Sequence, residues 1–300
     1  MIQLQQHINL APYTTYKIGG PARWFARVES EEDVAEAVRW AHRKRVPYFV
    51  LGGGSNILVS DSGYNGLVIL IRDMRYEIRD MTLRASAGVH MQDLVADTTE
   101  RGLAGLEWAG GLPGTLGGAI RGNAGAFGGE IKNTLKSVRA FTREGNFRDF
   151  SPNECDFSYR TSIFKEQSGY VVFSATLALK EGNAQELKAC AAEHIAWRRT
   201  KHPMEHGNCG SVFTSRYVAD LPAGFFEKYP DAQRAVREDQ LATAWLIDKA
   251  HLKNMRVGDA EVSDKHPNFL VNHGSARAED VAMLACIVKS RILQQFGIQL

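Results

Sequence analysis

The sequence predicts an α+β fold divided into more than one domain. Strand-like and helix-like runs alternate without a regular βαβ rhythm, glycines concentrate in two loops of the first half, and 300 residues exceed the usual single domain. With 44% hydrophobic, 23% charged and 9% aromatic side chains, the chain reads as soluble and globular, which excludes disorder, collagen and repeat arrays. The 36 basic and 34 acidic residues leave a net charge of +2 with no long run of one sign. No nucleic-acid or membrane partner is therefore expected, and any phosphate binding has to be local. Cys155, Cys190, Cys209 and Cys286 are far apart and form no CxxC pair, so neither a disulfide framework nor a metal is expected. A reducing cytoplasm fits this usage. The N-terminus lacks a basic start followed by an apolar core, and residues 102–120 are interrupted by Glu107, Pro113 and seven glycines, so no signal peptide or membrane span is expected.

Taken in order, residues 24–28 read as a strand. Ser30 followed by Glu31, Glu32 and Asp33 reads as the cap and acidic first turn of a helix whose apolar face is Val34, Ala37, Val38 and Ala41. A returning strand at 46–51 completes a small βαβ unit, and 57–59 and 67–71 supply two more β-rich runs. Further strands are expected at 82–87, 136–143 and 170–179, with a helix at 91–101 stopped by Gly102 and another capped by Asn183. Arg198, Arg199, Lys201 and His202 lead into Pro203 at a plausible domain boundary. The last third predicts a helix at 240–250, β-like runs at 257–262 and 268–272, and a strongly amphipathic helix at 278–296 closed by Gly297.

Gly52-Gly53-Gly54-Ser55-Asn56 follows a strand, yet Ile57 stands where a dinucleotide fingerprint needs glycine and no capped helix follows; no GK[ST] occurs either. A tight hairpin is the alternative for this loop alone. Residues 102–129, however, hold 11 of the 28 glycines, against about 3 for an even spread. Residues 110–119, with Asn123-Ala124-Gly125 beyond, offer no side chain large enough for a core. They do offer backbone donors, small hydroxyls and an amide suited to a flat, diphosphate-bearing cofactor lying between two lobes.

Several motifs in order then carry a resemblance. They are Thr15-Tyr16-Lys17-Ile18-Gly19-Gly20-Pro21-Ala22, Val50-Leu51-Gly52-Gly53-Gly54-Ser55-Asn56, Gly111-Leu112-Pro113-Gly114-Thr115-Leu116-Gly117-Gly118, and Asn123 to Gly128. Farther on come Ser158-Tyr159-Arg160-Thr161, Gly210-Ser211-Val212-Phe213, Trp245 to Lys253, and Val262 to Phe269. Over nearly its whole length the chain resembles the UDP-N-acetylenolpyruvoylglucosamine reductase family, in its shorter type II form. The resemblance implies a two-lobed FAD-binding domain of the vanillyl-alcohol oxidase (PCMH) type, with lobes at 1–77 and 78–200, followed by a substrate-binding α+β domain at 201–300. It implies a monomeric cytoplasmic enzyme of peptidoglycan precursor synthesis. NADPH is the hydride donor, and a UDP-sugar nucleotide bearing an enolpyruvyl ether is the substrate. No glycine loop carries a histidine or cysteine tether, so FAD is expected to be noncovalent.

By the same resemblance, FAD is held by Gly52, Gly53, Gly54, Ser55, Asn56, Gly111, Pro113, Gly114, Thr115, Gly118, Asn123 and Gly125. Arg160 faces the carboxylate that gains charge as hydride arrives, its planar fork suiting that geometry. Ser211 gives the proton, and Lys253 and His266 contact substrate. Taken singly, Arg160 reads as a surface arginine, Ser211 as a turn serine, and Lys253 and His266 as solvated charges; the motifs reverse those readings. Thr214-Ser215-Arg216 departs from the family's usual Lys-Asn-Pro. The family also places a glutamate shortly beyond Phe-Gly-Ile-x-Leu, whereas the given sequence reaches Leu300, so this reading expects slow substrate reduction. Two rivals stay open: another flavin oxidoreductase on the same scaffold, and a nucleotide-binding protein that has lost turnover.

Overall fold

The computed structural model describes residues 2–300. They divide into two compact units. Residues 2–9, Pro21–Gly54 and Tyr64–Arg198 form the first, and Leu10–Gly20, Ser55–Gly63 and Arg199–Leu300 the second. The two segments read as separate lobes thus share one unit, although each has its own sheet. Two short stretches read as part of the first lobe, Leu10–Gly20 and Ser55–Gly63, pack instead with the C-terminal residues.

In the first unit one sheet has the strand order Leu4–Asn9, Pro21–Val28, Tyr64–Ile71, Tyr48–Leu51, the first pair antiparallel and the others parallel. The strands flanking the first helix are therefore not neighbours. Tyr64–Ile71 inserts between them because its last six residues are all buried, as a strand covered on both faces must be, whereas Tyr48–Leu51 is only half-buried. The helix Glu31–Lys44 follows its sequence signals: Asp33 N–H donates to Ser30 Oγ at 3.1 Å, and Val34, Ala37, Val38 and Ala41 are buried. The second sheet, antiparallel throughout, has the order Phe147–Phe150, Leu135–Phe141, Val171–Ala178, Thr82–Ser86, Tyr76–Arg79. Asn183 caps the helix Ala184–Lys201, its Oδ1 accepting from Gln185 and Glu186 N–H groups at 2.9 and 3.2 Å. The second glycine cluster does contribute to the core, against expectation. Leu116 and Ile120 on the short helix Leu116–Arg121 are fully buried.

The second unit is built on the helix Ala278–Phe296, which buries Val281, Leu284, Val288 and Ile292 and is closed by Gly297 at φ +70°. It packs against the three-stranded sheet Arg256–Val257, Ala260–Val262, Leu270–Asn272. Two expectations fail here. Residues 57–59 join no ladder; Val59 instead packs where a side chain on Gly19 would lie. The helix expected at 240–250 covers only Thr243–Lys249, because Gln240–Leu241 pairs as a strand with Arg216–Tyr217 and Val236–Arg237.

Asp61 shows why the loop Ser55–Gly63 belongs to this unit. Its carboxylate accepts from the N–H groups of Ala278 and Glu279 at 2.9 and 3.0 Å, two of the donors left open at the helix start. Burial opposes its ionisation, but these bonds and Arg277 outweigh that and hold the carboxyl below the usual carboxylate range. The stability it contributes is thus present above its unfolded-state value and lost as pH falls through the lower folded value. Asp61→Ala is expected to cost about 1 kcal/mol in denaturant unfolding at neutral pH. The difference from the parent chain should vanish in strong acid; one that persists there would show that the carboxylate's charge is not the source.

Candidate active site

In the first unit the two glycine loops meet. A methyl group on Gly52 would lie 2.6 Å from Thr115 Oγ1, and one on Gly53 would lie 2.7 Å from the Gly114 Cα, so neither position has room for a side chain. The contact opens onto a cleft of about 590 Å³ whose lining includes Tyr48, Leu51, Gly52, Thr115, Gly118 and Arg121. Thr115 Oγ1 and Asn123 Oδ1 are buried without a hydrogen-bond partner among the described residues. Buried polar atoms rarely stay unpaired, so the pair marks where a polar ligand completes the structure. Not every glycine of the cluster leaves room for a side chain. Side chains on Gly110 and Gly117 would strike Ala191 and Ala87, so these two serve close packing even though Gly117 also lines the cleft, whereas a Cβ on Gly118 would meet only Thr115 Oγ1, at 3.7 Å.

Arg160 sits beside this cradle. It occupies the left-handed region at φ +58° in the tight reversal Ser158–Thr161, an uncommon conformation for a branched or long side chain that the surroundings must hold in place. They do so through the second loop: Arg160 donates to the carbonyls of Gly125 at 2.7 Å and Asn123 at 3.5 Å, while Asn123 Nδ2 donates to Ser158 O at 3.0 Å. Glu130 lies 3.9 Å from the guanidinium. The result is a half-buried cation on a rigid frame, suited to a carboxylate.

In the second unit Ser211 lies in an exposed turn after Gly210, which takes φ +80°. Ser211 pairs with Phe269 as an antiparallel bridge, and the Phe269 ring lies 4.8 Å from that of His266. His266 is largely buried with its Nδ1 unpartnered; burial and, secondarily, the Lys253 ammonium push its pKa below the ordinary histidine value, so it is neutral at pH 7. Lys253 pairs with Asp248 at 2.6 Å. Ser211, Lys253 and His266 thus gather around the segment 266–269, while Ser55 and Asn56 also fall in this unit. Cys209 is no nucleophile: burial pushes its thiol up to about 11.

Residues 22–151 match an FAD binding domain, and 202–300 match the C-terminal domain of UDP-N-acetylenolpyruvoylglucosamine reductase. The reductase of Syntrophomonas wolfei is 38% identical over 290 residues, covering 96% of this chain and 89% of the relative. That of Clostridioides difficile is 36% identical over 96% of the chain and 88% of its own length. The chain belongs to the UDP-N-acetylenolpyruvoylglucosamine reductase family. A crystal structure of the Thermus caldophilus reductase agrees, with a TM-score of 0.79 at 31% identity over 100% of this chain and 97% of that one. The fold is therefore an FAD-binding domain followed by the reductase family's C-terminal domain.

Within this reductase fold the structure adds residues that the sequence reading passed over. Arg198, read only as part of a basic boundary stretch, is buried and donates from Nε to the Gly110 carbonyl at 3.0 Å, fixing the second loop from behind. Nothing in the local sequence separates it from Arg199 and Lys201 on the same helix. Arg121 lines the cleft near Glu166. Two carboxylates of the second unit, Glu261 and Glu205, are engaged in ion pairs: Glu261 with Arg256 and with His273 at 3.0 Å, Glu205 with Lys265 at 2.7 Å.

Proposed function

We propose that this chain reduces the enolpyruvyl ether of a UDP-N-acetylglucosamine nucleotide to UDP-N-acetylmuramate, for peptidoglycan precursor synthesis, with FAD held noncovalently and NADPH as hydride donor. The observation that carries the site assignment is the attachment of Arg160 to the carbonyls of Asn123 and Gly125, which puts the cation and the cofactor cradle on one frame. The cleft fits FAD: its lining has glycine backbone, the unpaired hydroxyls of Thr115 and Tyr48, and no bulk at Gly118. Bound FAD supplies two-electron transfer between NADPH and the enolpyruvyl double bond.

Hydride arriving at the terminal methylene carbon drives the π electrons toward the carbon that bears the carboxylate. Arg160 stabilises the charge that develops there. Ser211 delivers its hydroxyl proton to that carbon, a weak acid meeting a far stronger base, and recovers a proton from solvent. Lys253 and the neutral His266 bind the substrate's nucleotide part, the lysine through charge and the histidine as a hydrogen-bond partner. Among the described residues no helix is long and apolar enough to cross a membrane. The reaction takes place on a soluble nucleotide in the cytoplasm. The enzyme acts as a monomer without nucleic acid or metal.

The purified protein should be yellow, release FAD on denaturation, and turn over NADPH catalytically, beyond the single reduction of its bound flavin, only when the enolpyruvyl nucleotide is present. Sustained anaerobic NADPH turnover without that nucleotide, or a colourless protein that FAD cannot reconstitute, would reject the reading.

A further inference from the structure

We infer that Asn268 is the positioning residue for Ser211, an inference that rests on the proton-donor reading of that serine. Asn268 is buried, 5% exposed, and grips the turn with side chain and backbone together. The Phe213 N–H donates to Asn268 Oδ1 at 3.0 Å, Asn268 Nδ2 donates to the Phe213 carbonyl at 2.8 Å, and the Val212 N–H donates to the Asn268 carbonyl at 2.8 Å. With the Ser211–Phe269 bridge, residues 211–213 lie along 268–269 as a short ladder in which one amide side chain takes the place of a strand's peptide group.

The other flank is held too. The Gly210 N–H donates to Asn208 Oδ1 at 3.0 Å, and the Asn208 carbonyl accepts from Thr15 Oγ1 at 2.6 Å. A side chain at Gly210 would meet nothing within 4 Å, so glycine is needed there for its φ alone: the chain reverses and then runs straight into the Asn268 grip. The serine hydroxyl sits between two fixed points, on an otherwise exposed turn. The grip needs a donor and an acceptor on one planar group. Aspartate, of nearly the same shape, would keep the bond from Phe213 N–H but set a second acceptor against the Phe213 carbonyl.

The test uses the FAD-loaded enzyme and separates its half-reactions. Asn268→Ala and Asn268→Asp should each slow reoxidation of reduced enzyme by the enolpyruvyl nucleotide by about 10- to 100-fold, as displacement of a catalytic group by roughly 1 Å does. FAD content and the rate of reduction by NADPH should change less than about twofold. If the alanine variant does not fold, the isosteric aspartate variant carries the measurement. In a Ser211→Ala background, adding Asn268→Asp should change reoxidation less than about twofold, because the group being positioned is already gone. Multiplicative losses in the double variant, or equal damage to both half-reactions, would make Asn268 a structural residue and overturn the inference. Full-speed reoxidation in Ser211→Ala alone would overturn the proton-donor reading and this inference with it, an outcome read from the single variant.

Discussion

Ser211→Ala should leave NADPH reduction of bound FAD nearly intact and slow reoxidation by the enolpyruvyl nucleotide by roughly 10² to 10⁴, the usual loss for a positioned acid. The structure makes this a clean deletion. The turn is held by the N–H groups of Val212 and Phe213, the Phe213 carbonyl and the Gly210 N–H, so removing one hydroxyl disturbs none of its fastenings. Alanine is also tolerated in an extended bridge position such as that opposite Phe269. Thermal unfolding and FAD content should therefore match the parent enzyme. Stopped-flow flavin absorbance in each direction decides the matter: if both half-reactions slow together, the serine supports the fold or binds substrate, and the proton comes from elsewhere.

What the sequence made legible was whatever depends on neighbours along the chain. Ser30 with Asp33, Asn183 with the next two N–H groups, and Gly297 after a 3.6-period stripe each announce a helix end through interactions spanning a few residues, and each lies where expected. The errors all involve partners far apart in sequence. Nothing local in Ile57-Leu58-Val59 says that no strand pairs with it, and nothing in Gln240-Leu241 says that Arg216–Tyr217 does. Tyr64–Ile71 displaces Tyr48–Leu51 to the sheet edge through burial on both faces, a tertiary property. The site divides in the same way. The glycine loops and the Arg160 and Ser211 motifs stand out as composition and pattern, but their fastenings do not. Asn123 reaches Ser158 across 35 positions, Arg198 reaches Gly110 across 88, and Asn268 reaches Phe213 across 55. The glycines illustrate the limit best, since composition alone treats Gly110, Gly117 and Gly118 alike, whereas the fold packs the first two against Ala191 and Ala87 and leaves space for a side chain only at the third.

That difference sets up the second large effect. Gly53→Val should markedly weaken FAD retention, because its Cβ would fall 2.7 Å from the Gly114 Cα and 3.3 Å from the Gly114 carbonyl carbon, backbone that cannot rotate aside. Gly114 itself holds φ +100°, a conformation open to glycine and strained for other residues, so the second loop has little freedom to retreat. The loops must separate, and Thr115, whose buried hydroxyl lines the cleft unpaired, moves with them. Overpacking of this kind costs about 1 to 3 kcal/mol, which lowers both the melting temperature of the apoprotein and its FAD affinity, the latter by roughly ten- to a hundredfold. Gly118→Ala isolates the second effect. Its added methyl meets only Thr115 Oγ1, at 3.7 Å, ordinary contact distance, so the apoprotein should melt as the parent does, while FAD affinity falls if the cofactor crosses that wall of the cleft. Flavin fluorescence titration of the two apoproteins, beside their thermal unfolding, checks both. Unaltered FAD affinity in Gly53→Val would show that the junction of the loops is not the cofactor cradle. Unaltered affinity in Gly118→Ala alone would move the cofactor to the loop junction and away from the helix Leu116–Arg121.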